Sequence, residues 1–280
     1  MRVGELLAQA TRALPGPDAR REAVLLLRHV LDVSEAWLVA HADDPVDAGR
    51  RAAFEVLVGR RARGEPVAYI VGVRGFHDLE LEVTRDVLIP RPETELLVEL
   101  ALQRIPVDKQ YAVADLGTGS GAVALAIAKA RPLARVVATD ASAAALQVAR
   151  ANAERLGLRN VGFAQGDWCA ALGDARFDAI VSNPPYIAEG DPHPREGDLR
   201  FEPAAALSSG VDGLDAIRAI VRGARAHLRE GGWLLLEHGF EQGVTVRAWL
   251  AAHDYSGIFT ERDLEGRERV SGARASTKVP

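Results

Sequence analysis

AVADLGTGSGAVALAIA, residues 112–128, reads as a strand, a glycine-rich turn and a helix. Gly117, Gly119 and Gly121, with Thr118 and Ser120 between them, allow tight curvature and close approach of a ligand to the backbone. Amides at the start of the helix favour an electron-rich group. The next apolar run, in RVVATDAS, ends at Asp140, where a carboxylate can accept the hydroxyl hydrogens of a ribose. Strand and helix patterns go on alternating to Ala273. Such alternation predicts an α/β fold, a mostly parallel sheet with helices on both faces.

A second stretch, FDAIVSNPPYI at 177–187, begins as a short buried strand and stops abruptly. Pro184 and Pro185 cannot extend a strand ladder. The amide of Asn183, a stiffened backbone and the ring of Tyr186 are thus presented at a strand's carboxyl end, the edge where open α/β sheets bind ligands.

Two cofactors suit a glycine turn of this kind. Gly117-x-Gly119-x-x-Ala122 also satisfies the dinucleotide pattern, which alone is a weak signal. Asp167-Trp168 follows the third strand, where an indole can flank an adenine and Asp167 or a backbone amide can hold its exocyclic amine. A dehydrogenase needs a hydride-transfer residue, and Asn183 to Tyr186 supply none. The set suits S-adenosylmethionine, with S-adenosylhomocysteine as product. Amide and exocyclic amino nitrogens are poor nucleophiles, so orientation carries the chemistry. Asn183 Oδ1 and the Pro184 carbonyl can accept the two N–H bonds of a target NH₂, and Asn183 Nδ2 can donate to the target's own carbonyl. Tyr186 can stack on the planar target and attract a cationic centre, worth ~0.5–2 kcal/mol.

Residues 1 to about 63 read as helices only. Leu6, Leu7 and Ala10 mark one apolar face, and Val24, Leu25, Leu27, Val30 and Leu31 a second. Ser34 suits the cap of a short helix carrying Trp37 and Leu38, and Phe54, Leu57 and Val58 mark a fourth. The arginines on these helices, Arg12, Arg20, Arg21, Arg50, Arg51, Arg60, Arg61 and Arg63, form either a docking face or ordinary solvated surface. From Tyr69 to Leu88, alternation and glycines predict a β-hairpin connector. Pro92 then suits the first position of a helix reaching about Arg104, which would bring Glu93 and Thr94 near the cofactor. The expected domains are a helical docking domain at 1–67, the connector at 68–90 and a cofactor-dependent domain at 91–280.

The chain of 280 residues carries a net charge of −5, which argues against a protein that grips nucleic acid across its surface. Cys169 is the single cysteine, so an internal disulfide and a multi-cysteine metal site are excluded, and no metal is expected. This fits the reducing cytoplasm. No apolar run approaches the ~20 residues that span a bilayer, and MRVGELLAQATRALPG has no signal-peptide pattern.

DLGTGSGAVALAIA, ATDAS, GDW, VSNPPYI, RFEP, DGLDAI, GGWLLLEHG and the RPETE segment together resemble the release-factor glutamine N5-methyltransferases of the PrmC/HemK type. The resemblance covers nearly the whole chain. It implies a seven-stranded Rossmann-like sheet with an antiparallel last strand, preceded by a small helical domain. It implies methyl transfer from S-adenosylmethionine to the glutamine side chain of the GGQ loop in peptide chain release factors. By position it assigns Gly117 to Gly121 to the methionine and ribose end, Asp140 to the ribose, Trp168 to the adenine, and Asn183, Pro184, Pro185 and Tyr186 to the glutamine. Asn183 also stands near the cofactor. A monomer is expected. The sister activity on a ribosomal-protein glutamine and a DNA adenine N6-methyltransferase remain as alternatives, since the NPPY motif is shared. A non-enzymatic nucleotide-sensing module is a third.

Overall fold

A computed structural model describes residues 1–192 and 197–276. The chain divides into two compact units, Met1–Val73 with 195–201, and 74–194 with Glu202–Pro280.

The first unit is helical: α1 Val3–Ala13, α2 Ala19–Leu31, α3 Glu35–Ala40, α4 Ala48–Ala62 and α5 Val67–Val71. Leu6, Leu7, Leu26, Leu27, Leu38 and Phe54 form its core. Leu26, not Leu25, takes the buried position on α2; together with Ala23 and Leu27 it makes a continuous stripe at helical spacing. Ser34 caps α3 by accepting from the Trp37 amide at 3.1 Å. Among the arginines at the end of α4, Arg60 pairs with Glu65 at 2.8 Å, and Arg61 bridges Glu22 at 2.8 Å and Asp198 at 2.7 Å. Those two charges are satisfied within the unit.

The hairpin begins later than Tyr69. Residues 67–71 make one helical turn after Pro66, closed by Gly72 at φ 80° with its amide bonded to Ala68 O. Pro66 at the start and a left-handed glycine at the end outweigh the β-branched character of the run. Strands β1 Val73–Phe76 and β2 Leu79–Glu82 follow, with Leu79 and Leu81 buried and Glu80 and Glu82 exposed.

The second unit continues with a 3-10 turn at Pro92–Thr94 leading into α6 Glu95–Arg104, then β3 Ala112–Leu116, α7 Ala122–Ala130, β4 Arg135–Asp140, α8 Ala143–Arg155, β5 Val161–Gln165 and β6 Phe177–Ser182. After a long loop come α9 Asp215–His227, β7 Leu228–Glu237, α10 Gly243–Ala252, β8 Tyr255–Arg262 and β9 Glu268–Ala275. The seven-stranded sheet has the order β5-β4-β3-β6-β7-β9-β8. β9 runs antiparallel to β7 and β8, while β3 pairs parallel with β4 and β6, β4 with β5 and β6 with β7, as the family resemblance implies.

Seven of the residues in α7, Ala122 to Ala128, are buried, so this helix is the centre of one face. It packs with α6 and with Phe76, Leu79 and Leu81 of the hairpin. α9 and α10 cover the other face with Ile217, Ile220, Val221, Val246 and Leu250. Each such aliphatic side chain contributes roughly 1.5–3 kcal/mol by leaving water.

Register places the site. Leu116 pairs with Thr139 on one side and with Ser182 on the other, and Ser182 pairs with Leu236. The chain runs outward from β3 through β4 and β5, then returns to β6 on the far side of β3. At this reversal the carboxyl ends of β4, β3, β6 and β7 stand level, so Asp140, Gly117, Asn183 and Glu237 lie along one edge.

Candidate functional site

The glycine turn is held from beneath by Asp115, the buried penultimate residue of β3. Its Oδ2 accepts from the Thr118 hydroxyl at 2.6 Å and from the Ala124 amide at 3.1 Å. Burial nevertheless pushes its carboxyl up to about 7, and the nearby Asp140 adds to the rise. Asp140 joins the next strand to the turn. Its Oδ2 accepts from the Gly119 amide at 2.9 Å and its Oδ1 from the Ser142 amide at 2.9 Å. Each oxygen keeps a further lone pair for a ligand hydroxyl.

Trp168 opens the 3-10 turn after β5 with φ 43°, and its ring lies over the turn. A Cβ on Gly117 would stand 3.2 Å from the indole, so a glycine is what permits this approach. Asn152 of α8 is fully buried and was not singled out by sequence. It donates to Ser120 O and Glu82 O at 3.0 Å each and accepts from the Glu82 amide at 2.7 Å, binding the hairpin to the turn. A polar residue on the apolar face of α8, between Ala149 and Ala153, is the signal that reveals it.

Asn183 follows the end of β6. Its Nδ2 donates to Thr94 Oγ1 at 3.0 Å, so one of its two N–H bonds is taken by the protein. The amide is thereby oriented, and Oδ1 has no hydrogen-bond partner among the described residues. The Pro184 carbonyl accepts no backbone hydrogen bond among them either. Tyr186 directs its hydroxyl at Glu237 Oε1, 3.4 Å away, and its carbonyl accepts from Gln242 Nε2 at 3.0 Å. Burial, then the charge of Glu237, pushes the phenol up from its ordinary range, so it stays neutral.

Two segments wall the site. Glu202 of RFEP has a fully buried side chain. It accepts from the Ile89 amide at 3.1 Å and forms an ion pair with Arg91 of the RPETE segment. This pair ties together two motifs that lie 111 residues apart in the sequence.

The turn, the bend and these walls enclose one cavity of about 420 Å³. It is lined by Asp86 to Leu88, Pro90, Arg91 and Thr94; by Gly117 to Ser120; by Asp140 to Ser142 and Gly166 to Trp168; and by Asn183, Pro185, Pro203, Ala205 and Ala206. All the residues predicted to hold a cofactor except Gly121 line it. Gly121 instead caps α7 at φ 87°. Of the NPPY residues, Asn183 and Pro185 line the cavity; Pro184 is buried and Tyr186 is half-buried behind them. Thr94 reaches the cavity, whereas Glu93 does not. The residues fit an adenosyl cofactor: a flat aromatic wall at Trp168, a carboxylate at Asp140, and a backbone cradle at Gly119 where an added Cβ would meet only open space. Among the described residues no cluster of metal-ligating side chains occurs, and no helix is long and apolar enough to cross a membrane.

Comparison with known proteins agrees with this layout. Residues 93–201 match the methyltransferase small domain, and residues 5–72 the PrmC N-terminal domain. The chain is 55% identical over 269 residues to the release factor glutamine methyltransferase of Xylella fastidiosa, covering 96% of each. It is 52% identical over 275 residues to that of Burkholderia pseudomallei, covering 95% of each. A T. thermophilus 16S rRNA methyltransferase, solved in complex with AdoMet and guanosine, shares the fold at 24% identity and a TM-score of 0.52, over 72% of this chain and 49% of that one.

Proposed function

The chain belongs to the release factor glutamine methyltransferase family, and from that membership we propose that it methylates the N5 side-chain amide of the glutamine in the GGQ motif of peptide chain release factors, using S-adenosylmethionine. When bound, the cofactor supplies a methyl group already activated on a cationic sulfur.

The protein's own part is to hold and aim. Gly117 to Ser120 and Asp140 would hold the ribose and methionine end of the cofactor and Trp168 would flank its adenine, with Gly121 supporting the turn from the start of α7. Asn183 Oδ1 and the Pro184 carbonyl accept the two N–H bonds of the glutamine NH₂, turning its lone pair toward the methyl. The N–H bond of Asn183 that Thr94 leaves free donates to the glutamine carbonyl. Pro184 and Pro185 stiffen the bend, and Tyr186 supports the planar amide from behind. Placing the reacting nitrogen about 3–3.5 Å from its target in line converts a slow encounter into a fast internal step. The nitrogen becomes acidic once methylated and gives its proton to an acceptor or water, so a strong base is unnecessary. One observation carries the reading: the two acceptor oxygens of the bend are unspent, while the neighbouring donor is committed to Thr94.

Residues 1–67 act as the docking domain, 68–90 as connector and 91–280 as the methyltransferase domain, in a cytoplasmic monomer. Hydrogen exchange of the full chain with and without a release factor tests the docking role. Protection within residues 1–67 is expected, and its absence would remove that role.

The activity is tested by incubating labelled S-adenosylmethionine with purified release factor, either wild type or with the GGQ glutamine replaced. Label enters only the wild-type factor. Equal label in both, or label in ribosomal protein or DNA instead, would overturn the assignment.

A further inference from the structure

The cavity beside the two bends is acidic. Asp86, Asp115, Asp140 and Asp167 line it, and among its described lining residues Arg91 is the one cationic side chain. The adenosyl cofactor that fits this cavity ends in an amino acid, and that amino acid carries a carboxylate. A carboxylate brought among acidic side chains is repelled unless a cation stands with it.

Arg91 heads the segment that reaches the second bend. Its carbonyl accepts from the Thr94 amide at 3.1 Å, closing the turn Pro92–Thr94. Thr94 Oγ1 accepts from Asn183 Nδ2 at 3.0 Å. Arg91 and Asn183 therefore belong to one connected end of the cavity. At the other end Trp168 lies over Gly117, and Asp140 accepts from the Gly119 amide at 2.9 Å. A cofactor whose adenosine rests on the glycine turn and whose methyl faces Asn183 has its sulfur between the two. In the methionine arm only three carbons separate that sulfur from the carboxylate, which is therefore confined to the neighbourhood of the bend.

Glu202 holds one side of the Arg91 guanidinium. The Glu202 side chain is fully buried; one oxygen accepts from Arg91 Nη2 and the other from the Ile89 amide at 3.1 Å. The Arg91 side chain, by contrast, remains 30% exposed and borders the cavity. A guanidinium has five N–H donors in a rigid fork. Those on Nε and Nη1 have no hydrogen-bond partner among the described residues. A fork anchored on one side loses little freedom when its other donors take a second carboxylate, and planar two-point contact of this kind is what arginine offers and lysine does not.

We propose that Arg91 is the carboxylate-binding residue of the cavity: anchored by Glu202, it takes the α-carboxylate of the cofactor's methionine arm through its remaining N–H donors. The inference rests on the adenosyl reading of the cavity given above and adds a residue to it. Glu202 is a positioning residue that acts through Arg91, fixing the direction of the fork.

The test is calorimetric binding, which needs no turnover. Full-length wild type and Arg91→Gln are titrated with S-adenosylhomocysteine and with S-adenosyl-3-thiopropylamine, the same molecule without its carboxylate. Wild type binds S-adenosylhomocysteine about 10- to 100-fold more tightly than the decarboxylated analogue, as expected for hydrogen bonds between charged groups. Arg91→Gln loses that factor for S-adenosylhomocysteine and binds the analogue as wild type does, so the preference disappears. Equal affinities in the wild type, or an equal loss of both ligands in Arg91→Gln, overturn the inference; the second result would mean that Arg91 only supports the wall. Removing Arg91 alone leaves the Glu202 charge buried and unpaired, which is destabilising. Should Arg91→Gln fail to fold, Arg91→Gln combined with Glu202→Gln removes both charges and carries the same contrast. Loss of the preference in that protein supports the inference, and its retention overturns it. Failure of the wild type to bind either ligand would sink the cofactor assignment itself, a result distinguishable from binding without preference.

Discussion

Two bends stand side by side at the edge of the sheet, and they are built on opposite principles. The glycine turn after β3 is held mainly from nearby in sequence: Asp115 bonds Thr118 and Ala124 within the same strand-turn-helix unit, and Asp140 and Asn152 of the next two elements bond Gly119 and Ser120. The bend after β6 is held from a distance. Thr94 lies 89 residues before Asn183, and Glu237 lies 51 residues after Tyr186. Each bend stands next to one buried carboxyl raised to about 7, but Asp115 serves a backbone cradle while Glu237 receives the hydroxyl of a side chain, Tyr186. The lesson is a division of labour. A cradle that must fit a rigid ligand is made of backbone, and an aiming device is made of side chains whose direction other side chains decide.

That division is sharpened first by removing a ring. Tyr186→Ala should lower kcat by about 10²-fold, because an unsupported bend misplaces the reacting amide. Cofactor affinity measured by calorimetry on the same sample should hardly change. A parallel loss of both would erase the distinction between the two bends.

The converse substitution lies in the cradle. Asp140→Ala should weaken cofactor binding by about 10- to 100-fold, the worth of hydrogen bonds to a charged acceptor. At saturating cofactor, turnover should recover most of its wild-type value. Persistent loss of turnover would mean that the turn aims as well as holds.

Gly213 offers a structural probe of the aiming bend from behind. It has φ 75°, and a Cβ there would overlap the Tyr186 carbonyl and crowd Gln242. Gly213→Ala should cost about 2 kcal/mol of stability from left-handed backbone strain and overpacking. Denaturant unfolding reads this cost, and an unchanged midpoint would show that the loop gives way freely.

A separate effect is on stability against pH. Asp115 and Glu237 titrate near 7 when folded and near 4 when unfolded, so between those values the folded state holds more protons. Their contribution therefore declines as pH rises from about 4 to about 7. Glu237→Gln removes one of the two, and its unfolding midpoint should fall less than that of wild type over the same window. Equal slopes would contradict the buried ionisable pair of sites.

How much of this was legible in the sequence follows the same line. The glycines of the turn could be read because they lie within one short stretch between a strand and a helix. NPPY announces a strand end and an amide, but nothing in residues 177–187 points to Thr94 or Glu237; strand register brings Glu237 to the bend, and the turn before α6 brings Thr94. Asn152 and the Glu202 to Arg91 pair were hidden for the same reason. The misreadings were local and of another kind. Leu25 and Leu26 are equally apolar, and only the packing of α2 decides which turns inward. At Tyr69 the β-branched run suggests a strand, although Pro66 and Gly72 frame it as a single helical turn.

The central claim is that the bend at Asn183 orients a substrate amide and does little for the cofactor. Its most direct test is Asn183→Ala, with methyl transfer to release factor and S-adenosylmethionine affinity measured on one preparation. Transfer should fall by about 10³-fold, as when a positioned hydrogen-bonding group is removed from a reacting centre, with affinity within about threefold of wild type. Near-normal transfer, or a loss of affinity that accounts for the whole loss of transfer, would contradict it.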